Sequence, residues 1–169
     1  MRMKVLAEIG KISSVITSLK SSDKRIGFVP TMGALHEGHL SLIRASRASN
    51  DVTVVSIFVN PTQFDKKEDF LKYPKSLDKD LELLKQAGCD LVFTPASKNL
   101  YPEDAVSAAF DFGGIEKEME GKFRDNHFNG VATIVKKLFE IVQPNNAYFG
   151  EKDFQQLQII KNLTIQLGL

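Results

Sequence analysis

The sequence predicts an α/β domain built on a parallel sheet with helices on both faces. Three observations carry this. Apolar, β-branched runs alternate along the chain with stretches whose apolar residues recur at helical spacing. One run, Val52 to Val59, is almost continuously apolar, as strands buried on both sheet faces are. The polar clusters fall just after the strand runs or just before the helical ones, where open α/β sheets bind ligands. With 169 residues the chain can form one domain with a substantial core.

Residues 5–20 hold Val5, Ile9, Ile12, Val15, Ile16 and Leu19 near helical spacing, and Ser21-Ser22-Asp23 closes that helix. Ile26 to Val29 is the first central strand, and Pro30, lacking an N–H, stops its ladder. A small-residue loop containing His36-Glu37-Gly38-His39 leads into an amphipathic helix from about Leu40 to Ser49, ended by Asn50-Asp51. Strand, helix and strand in this order favour a right-handed crossover between parallel strands. Asn60-Pro61-Thr62-Gln63-Phe64 is a polar turn at the end of the second strand, and Lys66 to Tyr73 reads as a charged, mobile surface segment. Ser76 is the expected N-cap of a helix through Gln86, with Leu77, Leu81 and Leu84 as its buried stripe. Gly88 stops that helix and Cys89 to Thr94 is the third strand, with Cys89 a core residue rather than a nucleophile.

The pattern weakens from Ser97 to Asp125, where Ala108 to Phe112 reads as a short strand and Ile115 to Glu120 as a short helix. A strong helix follows from Val131 to Val142, with Val131, Ile134, Val135, Leu138 and Ile141 inward. Pro144 ends it, and Ala147-Tyr148-Phe149 is the last strand. Gly150 then turns into a final helix with Leu157, Ile160 and Leu163 on its buried side.

Composition excludes several classes. A formal charge of +1 with 25% charged residues makes no general electrostatic case for nucleic acid or an anionic membrane. No apolar run approaches the roughly 20 residues that span a bilayer. Glu8 and Lys11 interrupt the N-terminus, unlike the apolar centre of a signal peptide. A single cysteine excludes an internal disulfide and fits a reducing compartment. The expectation is a cytoplasmic domain.

Four polar clusters, 30–39, 60–63, 124–127 and 150–156, fall at strand ends or helix starts. In the first, a strand, a glycine-containing turn and a helix start direct backbone N–H groups and a dipole at a common point suited to an anion, and His36 and His39 add donors or positive charge. Arg124 and His127 form a second candidate pair. Lys152 could meet a phosphate, Asp153 could cap the last helix, and Gln156 lies one turn beyond. Each cluster alone also fits a plain reading: a βα turn with solvated histidines, a strand-capping turn, surface residues, a capped helix. In a parallel sheet all four gather on one edge, and their histidines, lysine, arginine and amides suit stabilising phosphate charge during transfer at phosphorus. No G-x-x-x-x-G-K-S/T and no G-x-G-x-x-G after the first strand is present. The two histidines are three apart where H-E-x-x-H zinc sites use four, which leaves zinc held by His36, His39 and His127 as a competing use.

The stretches PTMGALHEGHLSLI, SIFVNPTQF, NHFNGVATIVKKLF and FGEKDFQQL carry a specific resemblance. His-Glu-Gly-His is similar to the HxGH signature of a nucleotidyltransferase superfamily, and the four stretches together resemble the pantothenate synthetase (pantoate–β-alanine ligase) family through the length of the chain. The resemblance implies a Rossmann-like fold and a two-step ligation. ATP, with Mg2+ on its phosphates, and pantoate form pantoyl-adenylate and pyrophosphate; the β-alanine amine then gives pantothenate and AMP. It assigns Met32, Gly33, Ala34, Leu35, His36, Glu37, Gly38 and His39, with Gly150, Glu151, Lys152 and Asp153, to ATP. Within these, His36, His39 and Lys152 are catalytic, and His39 is the proton donor. Gln63 and Gln156 would hold pantoate, with Gln63 also near β-alanine, and Asn60, Arg124 and His127 are further candidates. A homodimer is the implied assembly.

Where the family carries Arg-Pro-Gly-His-Phe, this chain has Arg124-Asp125-Asn126-His127-Phe128, so the turn before that helix is expected to differ. The family also continues into a smaller domain whose KMSKS-like segment closes over the ATP phosphates. Residues 1–169 are therefore expected to be the N-terminal, ATP- and pantoate-binding domain, impaired in catalysis when alone. Two other functions compete: another adenylyl- or cytidylyltransferase of the superfamily, and a non-catalytic nucleotide-binding or dimerising module.

Overall fold

The structure, a computed structural model, describes residues 2–103, 106–124 and 126–169. Five strands, β1 (Lys4–Leu6), β2 (Ile26–Thr31), β3 (Val52–Ile57), β4 (Leu91–Phe93) and β5 (Asn146–Ala147), form one sheet in the order β1-β4-β3-β2-β5. Every pairing is parallel. Among the described residues seven α-helices accompany them: α1 (Ile9–Ser21), α2 (Glu37–Ser49), α3 (Lys67–Lys72), α4 (Leu77–Gln86), α5 (Ser97–Leu100), α6 (His127–Val142) and α7 (Phe154–Gln166). No described helix is long and apolar enough to cross a membrane.

Successive residues of a strand face opposite sides, and here both sides are buried. Phe28, Val54, Leu91 and Phe93 meet α1, α6 and α7 in one core, which includes Ile12, Ile16, Val135 and Ile160. Val29, Val55 and Val92 meet α2 and α4 in the other, with Ile43 and Leu84. Cys89 belongs to this second core, and burial pushes its thiol up to about 12, so it has no thiolate character. From β2 the chain winds outward to β3 and β4, then returns to add β5 on the free side of β2. The winding reverses at β2, and a ligand crevice belongs beyond the carboxyl ends there.

Several elements differ from the sequence expectation. Residues 4–6 pair with Leu91–Phe93 as an edge strand, so the first helix begins only at Ile9. Pro30 does not stop its strand. Ile26 and Phe28 direct backbone groups toward β5, through Asn145 Oδ1 at 2.8 Å and Tyr148 N–H at 2.9 Å. Pro30 turns the same edge outward past the end of β5, so its missing N–H costs no ladder bond. On the β3 side β2 runs on to Thr31.

Residues 67–72 are helical rather than a loose segment, held by Phe64 against Phe70 and Tyr73 at ring separations of 5.6 and 5.8 Å. The stretch 108–112 is extended but forms no ladder: the N–H groups of Ala108 and Phe110 go to Thr133 Oγ1 and Asn129 Oδ1 on α6. In place of one short helix, two 3-10 turns, Ile115–Lys117 and Met119–Lys122, are tied by Gln155 to Ile115 O, Glu118 O and Glu120 N–H. On α4, Ser76 makes no side-chain cap bond and Leu77 is exposed; Asp80 and Leu84 are its buried residues. Helix α6 starts at His127 and not Val131, and the last strand is the two residues Asn146–Ala147. Leu157 of α7 is half-buried, and Gln155, Ile159, Ile160 and Leu163 face inward.

Candidate active site

The loop after β2 is wound tightly. Gly33 (φ 84°) and Ala34 (φ 51°) are both left-handed, a state that glycine adopts freely and alanine does not. The consequence is that consecutive N–H groups point inward. Gly33 donates to Thr31 Oγ1 at 3.2 Å; Ala34 and Leu35 donate to the two oxygens of Asp80 at 2.9 and 2.8 Å. Two of these N–H groups, expected to face an anion, are thus held by a carboxylate of the chain itself and the third by a hydroxyl.

Helix α2 begins at Glu37, three residues earlier than its apolar pattern indicates, because the histidines cap it. His36 Nδ1 accepts from Gly38 N–H at 3.1 Å, and His39 Nδ1 accepts from His36 N–H at 3.3 Å, closing a reciprocal box. An accepting Nδ1 leaves the proton of a neutral ring on Nε2, so both rings offer an Nε2–H donor. The rings lie 4.2 Å apart between centroids. Burial holds His39 below its ordinary 6.5, with the nearby His36 acting the same way and Asp80 opposing.

His127 is also buried. Its Nδ1 lies 2.8 Å from Gln63 O, and desolvation lowers it below 6.5 against the opposing effect of that hydrogen bond. Both groups resist protonation when folded, so near and below pH 6.5 the unfolded chain binds more protons than the folded one. Their contribution to stability is therefore complete above 6.5 and is lost as pH falls through the lowered values. Urea unfolding midpoints are expected to drop across that window, and less steeply in His127→Gln; equal slopes in the two proteins would remove His127 from the account.

Beyond β3 the 3-10 turn Pro61–Gln63 sits on a buried polar hub. Asn60, 1% exposed, donates to Gln63 Oε1 at 3.1 Å and Gly130 O at 3.0 Å, and accepts from Tyr101 Oη at 2.9 Å. Gln63 Nε2 reaches Met32 Sδ at 3.2 Å, a weak acceptor that leaves the amide available to a better one. Helix α6 approaches this turn so closely that Gly130 has no room for a Cβ.

Met32, His36, His39, Asn60, Gln63, Asp153 and Gln156 line one cavity of about 300 Å³. Its far wall is apolar: Val131, Ile134, Val135 and Leu138 of α6, with Phe149. An adjoining cavity of about 420 Å³ shares Met32, Gln63, Asp153 and Gln156 and adds Arg124, His127 and Lys152. The structure thus brings together residues from all four polar clusters. Arg124 also pairs with Glu120 at 3.4 Å. Asp153 holds the N-cap position of α7 without a side-chain cap bond. Asp125 lies outside the described residues.

Gly33, Ala34, Leu35, Glu37, Gly38, Gly150 and Glu151 line neither cavity. Leu35 belongs to the core, and Glu37 pairs with Arg44. His36, His39 and His127 form no metal-holding group among the described residues. Sequence reasoning missed Asp80, Tyr101, Gly130 and the apolar wall. Asp80 had one signal: it lies three residues after Leu77 and four before Leu84, on the stripe that should be apolar.

The sequence pattern of a protein family described as pantoate-beta-alanine ligase matches residues 4–169. Pantothenate synthetase from Christiangramia forsetii is 54% identical over 168 residues, covering 99% of this chain and 59% of that protein. Pantothenate synthetase from Sulfurihydrogenibium sp. is 49% identical over 166 residues, covering 98% and 59%. Among solved structures, pantoate-beta-alanine ligase from Francisella tularensis, complexed with beta-gamma ATP and beta-alanine, superposes with a TM-score of 0.92 at 43% identity, covering 98% of this chain and 63% of that one. Pantothenate synthetase from Thermus thermophilus gives 0.90 at 42%, covering 98% and 58%. The chain spans about three-fifths of the length of these curated relatives.

Proposed function

The chain belongs to the pantoate-beta-alanine ligase family, and we propose that it binds ATP and pantoate and serves their condensation with β-alanine. In the first step a pantoate carboxylate oxygen attacks the α-phosphorus, the bond to the β-phosphate oxygen breaks, and pyrophosphate leaves. In the second the uncharged amine of β-alanine attacks the acyl carbon, the bond to AMP breaks, and a proton is released with pantothenate.

One observation carries this reading: donors and amides from separate elements meet at a single cavity that is polar on one side and apolar on the other. The Nε2–H groups of His36 and His39 would stabilise phosphate charge, His39 acting as proton donor, and Lys152 would add charge at the reacting phosphate. Gln63 and Gln156 would take the carboxylate and hydroxyls of pantoate, while its dimethyl carbon meets Val131, Ile134 and Val135. Gly33 to Gly38 and Gly150 to Asp153 would frame the nucleotide. Mg2+ would arrive on ATP and neutralise phosphate charge; the directional donors come from the chain. The part of the relatives outside the match would supply further phosphate contacts, so residues 1–169 alone are expected to bind better than they turn over. A cytoplasmic homodimer belongs to the same reading.

Pyrophosphate release tests it. Pantoate is expected to support release about 10,000-fold faster than analogues lacking the 2-hydroxyl, because Gln63 or Gln156 would be left unpaired. Release that ignores pantoate but responds to another acid or a phosphate acceptor favours a different nucleotidyltransferase. Nucleotide binding without any release favours a non-catalytic module.

A further inference from the structure

The histidine loop rests on a buried charge to which the ligase reading gives no role. Asp80 of α4 is 1% exposed and makes no ion pair among the described residues. A carboxylate out of water persists only where donors replace its hydration, and here they are Ala34 N–H at 2.9 Å and Leu35 N–H at 2.8 Å. Those two groups converge only because Gly33 and Ala34 are left-handed, and alanine holds that state only where its surroundings demand it. The next residue is His36, the cap of α2 and one half of the histidine pair. Asp80 lines neither of the two cavities that hold the histidines, Gln63 and Gln156.

We propose that Asp80 is a positioning residue for the histidine pair: its carboxylate holds Ala34 and Leu35 N–H and thereby sets the loop from which His36 and His39 direct Nε2–H at the ligand. This rests on the ligase reading for what receives those donors. A residue serving only the fold would lower stability and leave turnover of the folded protein unchanged.

Asp80→Asn keeps the shape but offers one acceptor and one NH2, so one backbone N–H faces a donor. In the full-length protein kcat for pantoate-dependent pyrophosphate release is expected to fall about 100-fold, the cost of a displacement near 1 Å. KM for pantoate is expected to stay within about threefold, since Gln63 and Gln156 are untouched. Imidazole 15N spectra above pH 6.5 should find the proton on Nε2 of both rings in the wild type and a tautomer mixture in the variant. A wild-type proton on Nδ1, or a folded variant with wild-type spectra and kcat, overturns the proposal. If Asp80→Asn does not fold, Gly33→Ala disturbs the same contact, because its Cβ would lie 3.0 Å from Asp80 Oδ2 at a φ of 84°. The same spectral change and kcat loss are expected there, and their absence is equally fatal. A wild type that releases no pyrophosphate with pantoate removes the ligase reading, and the spectra still decide Asp80.

Discussion

Replacing His39 with alanine is expected to slow pantoyl-adenylate formation by about 100- to 1,000-fold, the usual cost of removing one preorganised donor from a developing oxyanion. Two features of the site argue for a loss of this size. The ring is partly withdrawn from solvent, so its Nε2–H acts where competition from water is reduced. It is also held in place by accepting His36 N–H through Nδ1, so little reorganisation is needed when charge appears. Alanine removes that cap bond as well, at a cost of about 0.5–2 kcal/mol of stability. Single-turnover pyrophosphate release and a thermal melt separate the two effects. Adenylate formed at the wild-type rate by a folded His39→Ala protein would sink the catalytic assignment.

Gly130→Ala is the second large effect, and it needs no substrate contact. A Cβ at this position of α6 would lie 2.3 Å from Thr62 O, 2.6 Å from Thr62 C and 2.8 Å from Gln63 Cα. All three are backbone atoms, so no side chain can swing away and the helix and turn must separate. Overpacking of this kind costs about 1–3 kcal/mol. The displaced turn carries Gln63, and it also carries the Asn60 bond to Gly130 O and the His127 bond to Gln63 O. The expected result is a lower melting temperature together with a pantoate KM raised about tenfold or more. Gly10→Ala is the control. It lies exposed on α1 with nothing within 4 Å of a Cβ, and there alanine should stabilise by about 0.5–1 kcal/mol. A Gly130→Ala protein as stable as wild type, with unchanged KM, would mean that α6 does not brace the turn.

Much of this was legible in the residues. The runs 26–29 and 52–59 and Cys89 to Thr94 contain most of β2 and all of β3 and β4, and the histidine pair, Gln63, Lys152 and Gln156 were singled out by their chemistry. What escaped was of one kind. Lys4–Leu6 is a strand only because Leu91–Phe93 lies beside it. Ala108 to Phe112 has the composition of a strand, yet its N–H groups meet side chains of α6 and no ladder forms. Asp80 breaks an apolar stripe, and its reason lies in another loop, at Ala34 and Leu35.

The sequence by itself determined which segments could be buried and which side chains could serve phosphate and carboxylate chemistry, because periodicity and functional groups are local properties. The tertiary structure alone decided that the Ala34 and Leu35 N–H groups are held by Asp80 and that both histidines spend Nδ1 on capping α2. It also decided that Asn60 and Gly130 fix the turn bearing Gln63. These are contacts between residues tens of positions apart, and a hydrogen bond, or an approach that leaves Gly130 no room for a Cβ, exists only once folding has brought both partners to one point.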